Sequence, residues 1–281
     1  MAQASTHKAW FITGTSKGFG RIWTEAALAR GDSVAAASRS VASLADLKAE
    51  YGDRLLVLAL DVGDKAAVDA AVKRAHDQFG RIDIAVNNAG YGLFGTIEEV
   101  SEQEAREQIE TNLFGALWVT QAVLPIMRAQ GSGHIVQISS IGGVNAFPGV
   151  GLYHASKWGL EGFSQSLAAE VQDFGIKVTI VEPGGFATDW GTSSAHRAAQ
   201  LPAYDEVRAW QAQRRASLQP GDPQATAAAL FRIVDAKEPP LRVFFGPTGL
   251  PMTKREYAER LATWEKWNDV ALQAQGTVAA A

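Results

Sequence analysis

Along the chain, short apolar runs alternate with longer segments in which apolar residues recur three and four positions apart. The runs 10–13, 33–37, 55–60, 82–86, 134–138 and 178–181 are too brief for helices and apolar enough to be strands covered on both faces. A further run at 241–245 reads as a last strand. Between the runs lie helical patterns. Asp64 is placed to cap a segment with Ala67, Val68, Ala71, Val72, Ala75 and Phe79 on one side, ending before Gly80. Ser101 and Glu104 fit a capping box that opens one long segment toward Ala129. Residues 223–236 predict another helix, and 253–271 a final one rich in Trp. Strand-helix alternation of this kind predicts an α/β fold, a Rossmann-type doubly wound parallel sheet of about seven strands with helices on both faces and right-handed crossovers.

From Gly184 to about Pro220 the regularity lapses, and no Gly/Ser linker divides the chain. The expectation is a single dinucleotide-binding domain over 1–281, a flap at 185–220 within it, and a C-terminal helical extension at 251–281. Trp264 and Trp267 in that extension are expected to cover a core edge or a subunit contact.

Composition narrows the chemistry. With 281 residues, 47% hydrophobic and 20% charged, the chain has the balance of a soluble globular protein. A net charge of -4 gives no general attraction to nucleic acid or anionic membrane. The absence of Cys removes disulfides, thiolate-held zinc and a Cys nucleophile. Five scattered His residues make no HExxH pair, so no metal site is expected. No apolar stretch reaches the ~20 residues of a membrane span, and the N-terminus lacks the pattern of a secretory signal, so a cytoplasmic protein is expected.

The first strand runs into Thr13-Gly14-Thr15-Ser16-Lys17-Gly18-Phe19-Gly20, followed by an amphipathic segment through Ile22, Ala26 and Leu28. Glycines there let the backbone turn sharply and approach a pyrophosphate, while the helix start offers free N–H groups. The spacing differs from GxGxxG, and the same residues would also serve an ordinary strand-to-helix turn. An NAD site usually presents a carboxylate at the end of the second strand. Here that end reads Ala37-Ser38-Arg39, with no carboxylate until Asp46. Arg39 can grip a 2'-phosphate in a fork and Lys17 can add a second charge, so NADP(H) is preferred, with NAD(H) the alternative. Arg39 could equally begin a solvated helix.

Tyr153 and Lys157 stand four apart at the start of a segment with Leu160, Phe163 and Leu167 at helical spacing, so they share one face. A cation at ~4 Å is worth ~4 kcal/mol at an effective dielectric of ~20, enough to lower a phenol's pKa by as much as ~3 from its ordinary value near 10. An isolated YxxxK is also compatible with a plain surface helix.

Taken together these motifs resemble the short-chain dehydrogenase/reductase family in its single-domain form, over nearly everything from Trp10 to Phe245. The matching residues are the TGxxxGxG turn at Thr13 to Gly20, Asp61-Val62, Asn87-Asn88-Ala89-Gly90, Asn112, Ser140, Tyr153 with Lys157, and Pro183-Gly184 followed by Thr188. The resemblance implies that Tyr153 is the general acid in carbonyl reduction and the base in alcohol oxidation, and that Lys157 lowers its pKa and bonds the nicotinamide ribose. It further implies that Ser140 holds the substrate oxygen and that Asn112 anchors a proton-passing water. Gly14, Ser16, Lys17, Gly18, Phe19, Gly20, Ser38, Arg39, Asp61, Val62, Asn88, Ala89, Gly90, Tyr153, Lys157, Pro183, Gly184, Phe186 and Thr188 would bind the cofactor. Phe147 and Trp190 would join Ser140 and Tyr153 in an apolar substrate pocket, with Trp190 alternatively fastening the flap to the core. His154 is expected to face away from Tyr153 in a structural or surface role. The leading expectation is an NADPH-dependent carbonyl reductase, reversible as an alcohol dehydrogenase, acting on a hydrophobic ketone, aldehyde or secondary alcohol and assembled as a homodimer or homotetramer. The alternatives are an NAD-linked, steroid-like alcohol dehydrogenase and a non-catalytic NADP-binding regulator.

Overall fold

The computed structural model describes residues 7–216 and 219–276, so residues 217 and 218 of the expected flap and 277–281 of the expected C-terminal extension lie outside the described residues. In chain order the elements are β1 (Ala9–Thr13), α1 (Gly18–Ala29), β2 (Ser33–Ser38), α2 (Ala45–Tyr51), β3 (Leu55–Ala59), α3 (Lys65–Phe79), β4 (Ile84–Asn87) and β5 (Leu93–Phe94). Then come α4 (Glu102–Ile109), α5 (Gly115–Gln130), β6 (Gly133–Ile138), α6 (Gly151–Val171), β7 (Ile176–Pro183), β8 (His196–Arg197) and α7 (Asp205–Ala216). The chain continues through α8 (Thr226–Val234), β9 (Arg242–Phe245), α9 (Gly249–Lys266) and α10 (Asn268–Ala274).

Seven strands form one parallel sheet in the order β3-β2-β1-β4-β6-β7-β9. Alternation along β1 explains why the strands read as continuous apolar runs. Trp10 and Ile12 face a core shared with Trp23 and Leu28 of α1 and Leu230 of α8, whereas Phe11 faces Val68 and Val72 of α3 and Val119 of α5. Both faces are therefore covered, and a polar face is nowhere needed. Trp23 is fully buried with its indole N–H donated to Thr226 Oγ1 at 2.9 Å, which ties α1 to the start of α8.

The helix ends follow the sequence signals. Asp64 accepts from the Ala67 amide, Gly80 closes α3 in the left-handed region, and Ser101 with Glu104 makes both bonds of a capping box. The long segment from Ser101 differs from a plain helix: residues Glu110–Phe114 form a π-helical step between α4 and α5. Such a step inserts one extra residue, which periodicity alone does not reveal. The irregular stretch after Gly184 also holds more order than expected. Its His196–Arg197 pair lies parallel to Leu93–Phe94, and α7 follows as a 12-residue helix with a mostly polar sequence. The C-terminal helix breaks at Trp267 into α9 and α10, and Trp264 and Trp267 are 65% and 60% exposed. They do not cover a core edge. Among the described residues no helix is long and apolar enough to cross a membrane, and no His/Asp/Glu cluster is arranged to hold a metal.

Candidate active site

Strand order reverses between β1 and β4, which is where ligands of open parallel sheets bind. The loops leaving these two strands are stitched together by Thr13 and Asn88. Thr13 Oγ1 accepts from the amides of Asn88 and Ala89, both at 3.0 Å, while Asn88 Nδ2 donates to the carbonyls of Thr13 at 2.9 Å and Gly14 at 3.1 Å. Gly14 sits at φ +70°, and a Cβ on Gly20 would lie 2.3 Å from the Gly14 carbonyl oxygen. Only glycine satisfies both positions. Helix α1 begins at Gly18 with Lys17 as its N-cap, with no side-chain cap and no acidic residue in its first turn. The free N–H groups and positive dipole end suit a phosphate anion.

Other predicted cofactor residues surround this turn. Ser16 is half-buried within it. Ser38 is buried at the end of β2, where its Oγ accepts from the Ser40 amide at 3.2 Å. Arg39 is exposed, and among the described residues it forms no salt bridge. Lys17, expected to face a phosphate, instead spans toward the 185–220 segment, with Nζ 3.7 Å from Asp189 Oδ2 and 3.5 Å from Ser193 Oγ. Asp61 is exposed, with Oδ1 accepting from Gly63 at 3.0 Å, and Val62 is buried against Gly115. Gly184 donates its amide to Phe245 at 2.9 Å just after Pro183 ends β7, and Thr188 Oγ1 accepts from the Trp190 amide at 3.5 Å. Phe186 meets Phe19 edge-on at 5.2 Å, and Phe19 stacks on Trp23 at 5.1 Å. The aromatic residue in the turn thus links the glycine loop to the base of the 185–220 segment.

Asn112, Ser140, Tyr153 and Lys157 converge beyond the ends of β4 and β6. The π-helical step turns Asn112 inward, where Oδ1 accepts from the Tyr91 amide and Nδ2 donates to the Tyr91 carbonyl, both at 3.0 Å. Its Nδ2 also reaches Ser156 Oγ at 3.2 Å. A Cβ on Gly90 would lie 3.0 Å from Asn112 Oδ1 and 3.6 Å from Lys157 Nζ, so these three residues adjoin. Ser140 Oγ accepts from the Gly142 amide at 3.0 Å and lies beside the Tyr153 hydroxyl. Ser139 instead lies beside Glu161.

The expectation that Lys157 acidifies the phenol does not hold in this structure. Lys157 Nζ donates to the Ile138 carbonyl at 2.7 Å and lies 5.9 Å from the Tyr153 ring centre. Burial pushes the Tyr153 phenol up to about 12, opposed by the Ser140 hydrogen bond. Burial likewise brings the Lys157 ammonium down to about 8, opposed by Glu161. Loss of hydration outweighs mutual attraction when both groups are enclosed. At neutral pH Tyr153 therefore keeps its proton.

The walls of the site are aromatic. Trp190 lies 4.9 Å from the Tyr153 ring and 5.3 Å from Phe94, while Phe147 packs against a cluster of Phe94, Val150 and Tyr153. Trp190 thus packs the 185–220 segment against Tyr153 and Phe94. His154 is buried rather than at the surface, and it is structural: its Nδ1 meets the Gly142 carbonyl at 2.8 Å and its Nε2 accepts from the Phe147 amide at 2.8 Å. It pins the loop after Ser140 at both ends. Sequence reasoning missed Phe94 and Gln108. Gln108 accepts from the Leu93 amide at 2.8 Å and donates to the Tyr91 carbonyl at 3.1 Å, so it sets the strand that carries Phe94. The apolar Leu93-Phe94 pair between two glycines was the available signal.

Behind Lys157, Glu161 and Glu182 are buried against Arg242, whose Nε lies 2.9 Å from Glu161 and 3.6 Å from Glu182. Burial and the neighbouring Glu161 carboxylate push the Glu182 carboxyl up to about 8. The folded state then binds a proton that an unfolded Glu releases near pH ~4.3. Stability from this group is full below that pH and is lost as pH rises through about 8. Glu182→Gln, which mimics the protonated form, is expected to hold its melting temperature while the wild type falls by a few degrees between about pH 5 and 8. Parallel thermal melts across that window check this; equal slopes would refute it.

Comparisons with known proteins agree with this geometry. Residues 8–199 match the family model for short chain dehydrogenase. An oxidoreductase of Botryotinia fuckeliana, BOA17, is 42% identical over 94% of this chain and 98% of its own. A short-chain dehydrogenase structure from Streptomyces avermitilis superposes with a TM-score of 0.90 at 40% identity, covering 97% of this chain and 100% of that one. More distant solved neighbours carry either dinucleotide. A closed serine dehydrogenase holds NADP+ (TM-score 0.74, 27% identity, 85% and 94% covered). A 3-ketoacyl-(acyl-carrier-protein) reductase from Brucella melitensis holds NADH (TM-score 0.68, 27% identity, 80% and 89% covered). By the family model and by these relatives, the chain belongs to the short-chain dehydrogenase family, an NAD(P)-dependent oxidoreductase.

Proposed function

We propose that the chain is an NADPH-dependent reductase of a ketone or aldehyde on a hydrophobic molecule, running in reverse as an alcohol dehydrogenase. The observation that carries this reading is the enclosed Tyr153 phenol, beside Ser140, walled by Phe94, Phe147 and Trp190, and holding its proton at neutral pH. Reduction needs a proton donor at that atom, whereas oxidation needs a base. The Ser140 hydroxyl and the Tyr153 hydroxyl converge on one point, where they can hold a carbonyl oxygen and then protonate it as negative charge develops. When bound, the nicotinamide supplies the hydride; the protein supplies position, exclusion of water and the proton. Lys157, adjoining Gly90 and Asn112, would bond the ribose and pass a proton onward.

The uncapped start of α1 and the glycine turn would hold the pyrophosphate, Asp61 and Val62 the adenine, and Thr188 the carboxamide. NADP(H) is favoured because Arg39 is exposed without a carboxylate partner among the described residues, and Ser38 rather than an acid ends β2. Arg39→Ala is expected to weaken NADPH binding by roughly 10- to 100-fold, the worth of one charge-assisted contact at ~1.5–3 kcal/mol, with little change for NADH. Titrating both cofactors by nicotinamide fluorescence decides this, and a wild type that prefers NADH overturns the cofactor assignment. A panel of ketones with NADPH, followed at the nicotinamide absorbance, tests the reaction itself. We assign the protein to the cytoplasm as a homodimer or homotetramer, with the exposed Trp264 and Trp267 at a subunit contact; sedimentation of the full chain tests the assembly.

A further inference from the structure

We infer that Arg197 receives an anionic group at the far end of the substrate, so that the preferred substrate is an apolar chain bearing a carbonyl at one end and a carboxylate or phosphate at the other. This rests on the carbonyl-reductase reading for its substrate end, but not for its binding end.

A cavity of about 180 Å³ lies between the β5 loop, the β8 strand and α7, lined by Phe94, Gly95, Gly149, Arg197, Arg208 and Gln211. Phe94 is the wall it shares with the reaction site. The Tyr153 and Trp190 ring centres lie 4.9 Å apart, those of Trp190 and Phe94 5.3 Å, and the Arg197 guanidinium lies 4.9 Å from the Phe94 ring centre. These contacts form a row of aromatic rings between Tyr153 and the Arg197 cation, along which an apolar chain would lie.

Two arginines line the cavity, and they differ in what they already hold. Arg208 is neutralised by Glu99 and Asp205. Glu99 is in turn consumed, since it accepts from the amides of Thr96 and Leu201 at 2.8 Å, and these hold its carboxyl down at about 2. Arg197 gives one N–H to the Gly191 carbonyl at 3.1 Å and, among the described residues, pairs with no carboxylate. A guanidinium carries five N–H donors in a planar fork, so donors remain for a bidentate anion. At roughly 30 Å³ per water, the cavity has room for about six waters or an equivalent short chain with its headgroup.

The test uses the full chain saturated with NADPH. Decanoate, decyl phosphate and decanol are titrated calorimetrically against wild type, Arg197→Gln and Arg197→Lys. The expected result is at least tenfold weaker binding of the anion in Arg197→Gln, partial recovery in Arg197→Lys, and no change for decanol. Whichever of decanoate and decyl phosphate loses more identifies the headgroup. Decanoate and decyl phosphate binding no tighter than decanol in wild type, or unchanged by Arg197→Gln, overturns the proposal. Turnover of an oxo-acid against its methyl ester is the second arm: Arg197→Gln is expected to raise KM at least tenfold for the acid alone, with kcat kept. If neither compound is reduced while anion binding still depends on Arg197, the reductase reading fails and the anion site stands.

Discussion

Tyr153→Phe is expected to lower kcat by about a hundred- to ten-thousand-fold, the range a positioned proton donor contributes, while dinucleotide affinity stays within about twofold. The variant removes one oxygen and leaves the ring against Trp190 and beneath Phe94 and Val150, so the walls of the site are kept. Ser140 retains its bond from the Gly142 amide and cannot replace the lost donor, because an alcohol is a far weaker acid than a phenol. Single-turnover reduction alongside cofactor titration checks both halves. Unchanged turnover would move the proton source elsewhere and favour a regulator that merely binds the dinucleotide.

Gly20→Ala is the second large effect, and it arises from sterics. The new methyl would sit 2.3 Å from the Gly14 carbonyl oxygen and 2.6 Å from Asn88 Nδ2. Backbone has to move, and the Asn88 bonds to Thr13 and Gly14 move with it. The expected cost is about 1–3 kcal/mol of stability, as for overpacking, and on the order of 100-fold in dinucleotide affinity if two phosphate contacts are misplaced. Gly162→Ala is the control. That glycine lies in α6 with no atom within 4 Å of an added Cβ, so alanine is expected to stabilise by up to ~1 kcal/mol. Melting curves and cofactor titrations of the three proteins decide it; a Gly20→Ala protein as stable and as tightly bound as wild type would show that the turn tolerates what its geometry forbids.

Much of the sheet was readable because strands buried on both faces leave continuous apolar runs, as around Phe11 and Ala35. Caps such as Asp64 and Ser101 were readable because their bonds are local. The Ser140, Tyr153 and Lys157 set was visible through motif spacing, but its electrostatics were not. Spacing on a helix gave the Tyr153–Lys157 neighbourhood, whereas the dominance of burial over attraction depends on the enclosure supplied by Trp190 and the Ile138 carbonyl, groups distant in sequence. Phe94 escaped notice for the same reason: its role comes from pairing with a two-residue strand a hundred positions on. Helix α7 was missed because its sequence is mostly polar.

The extra residue between α4 and α5 fixes the rotational phase of everything downstream. Each residue of an α-helix advances the side chains by about 100°. Deleting one position from Glu110–Phe114 would smooth the coil into a regular spiral, yet the two halves could no longer both keep their faces. Either the carboxamide of Asn112 swings off the Tyr91 backbone, or Val119 and Val123 rotate out of the sheet contact and Trp118 comes inward. Shortening this helix to tidy it would therefore detune the reaction centre before it loosened the fold.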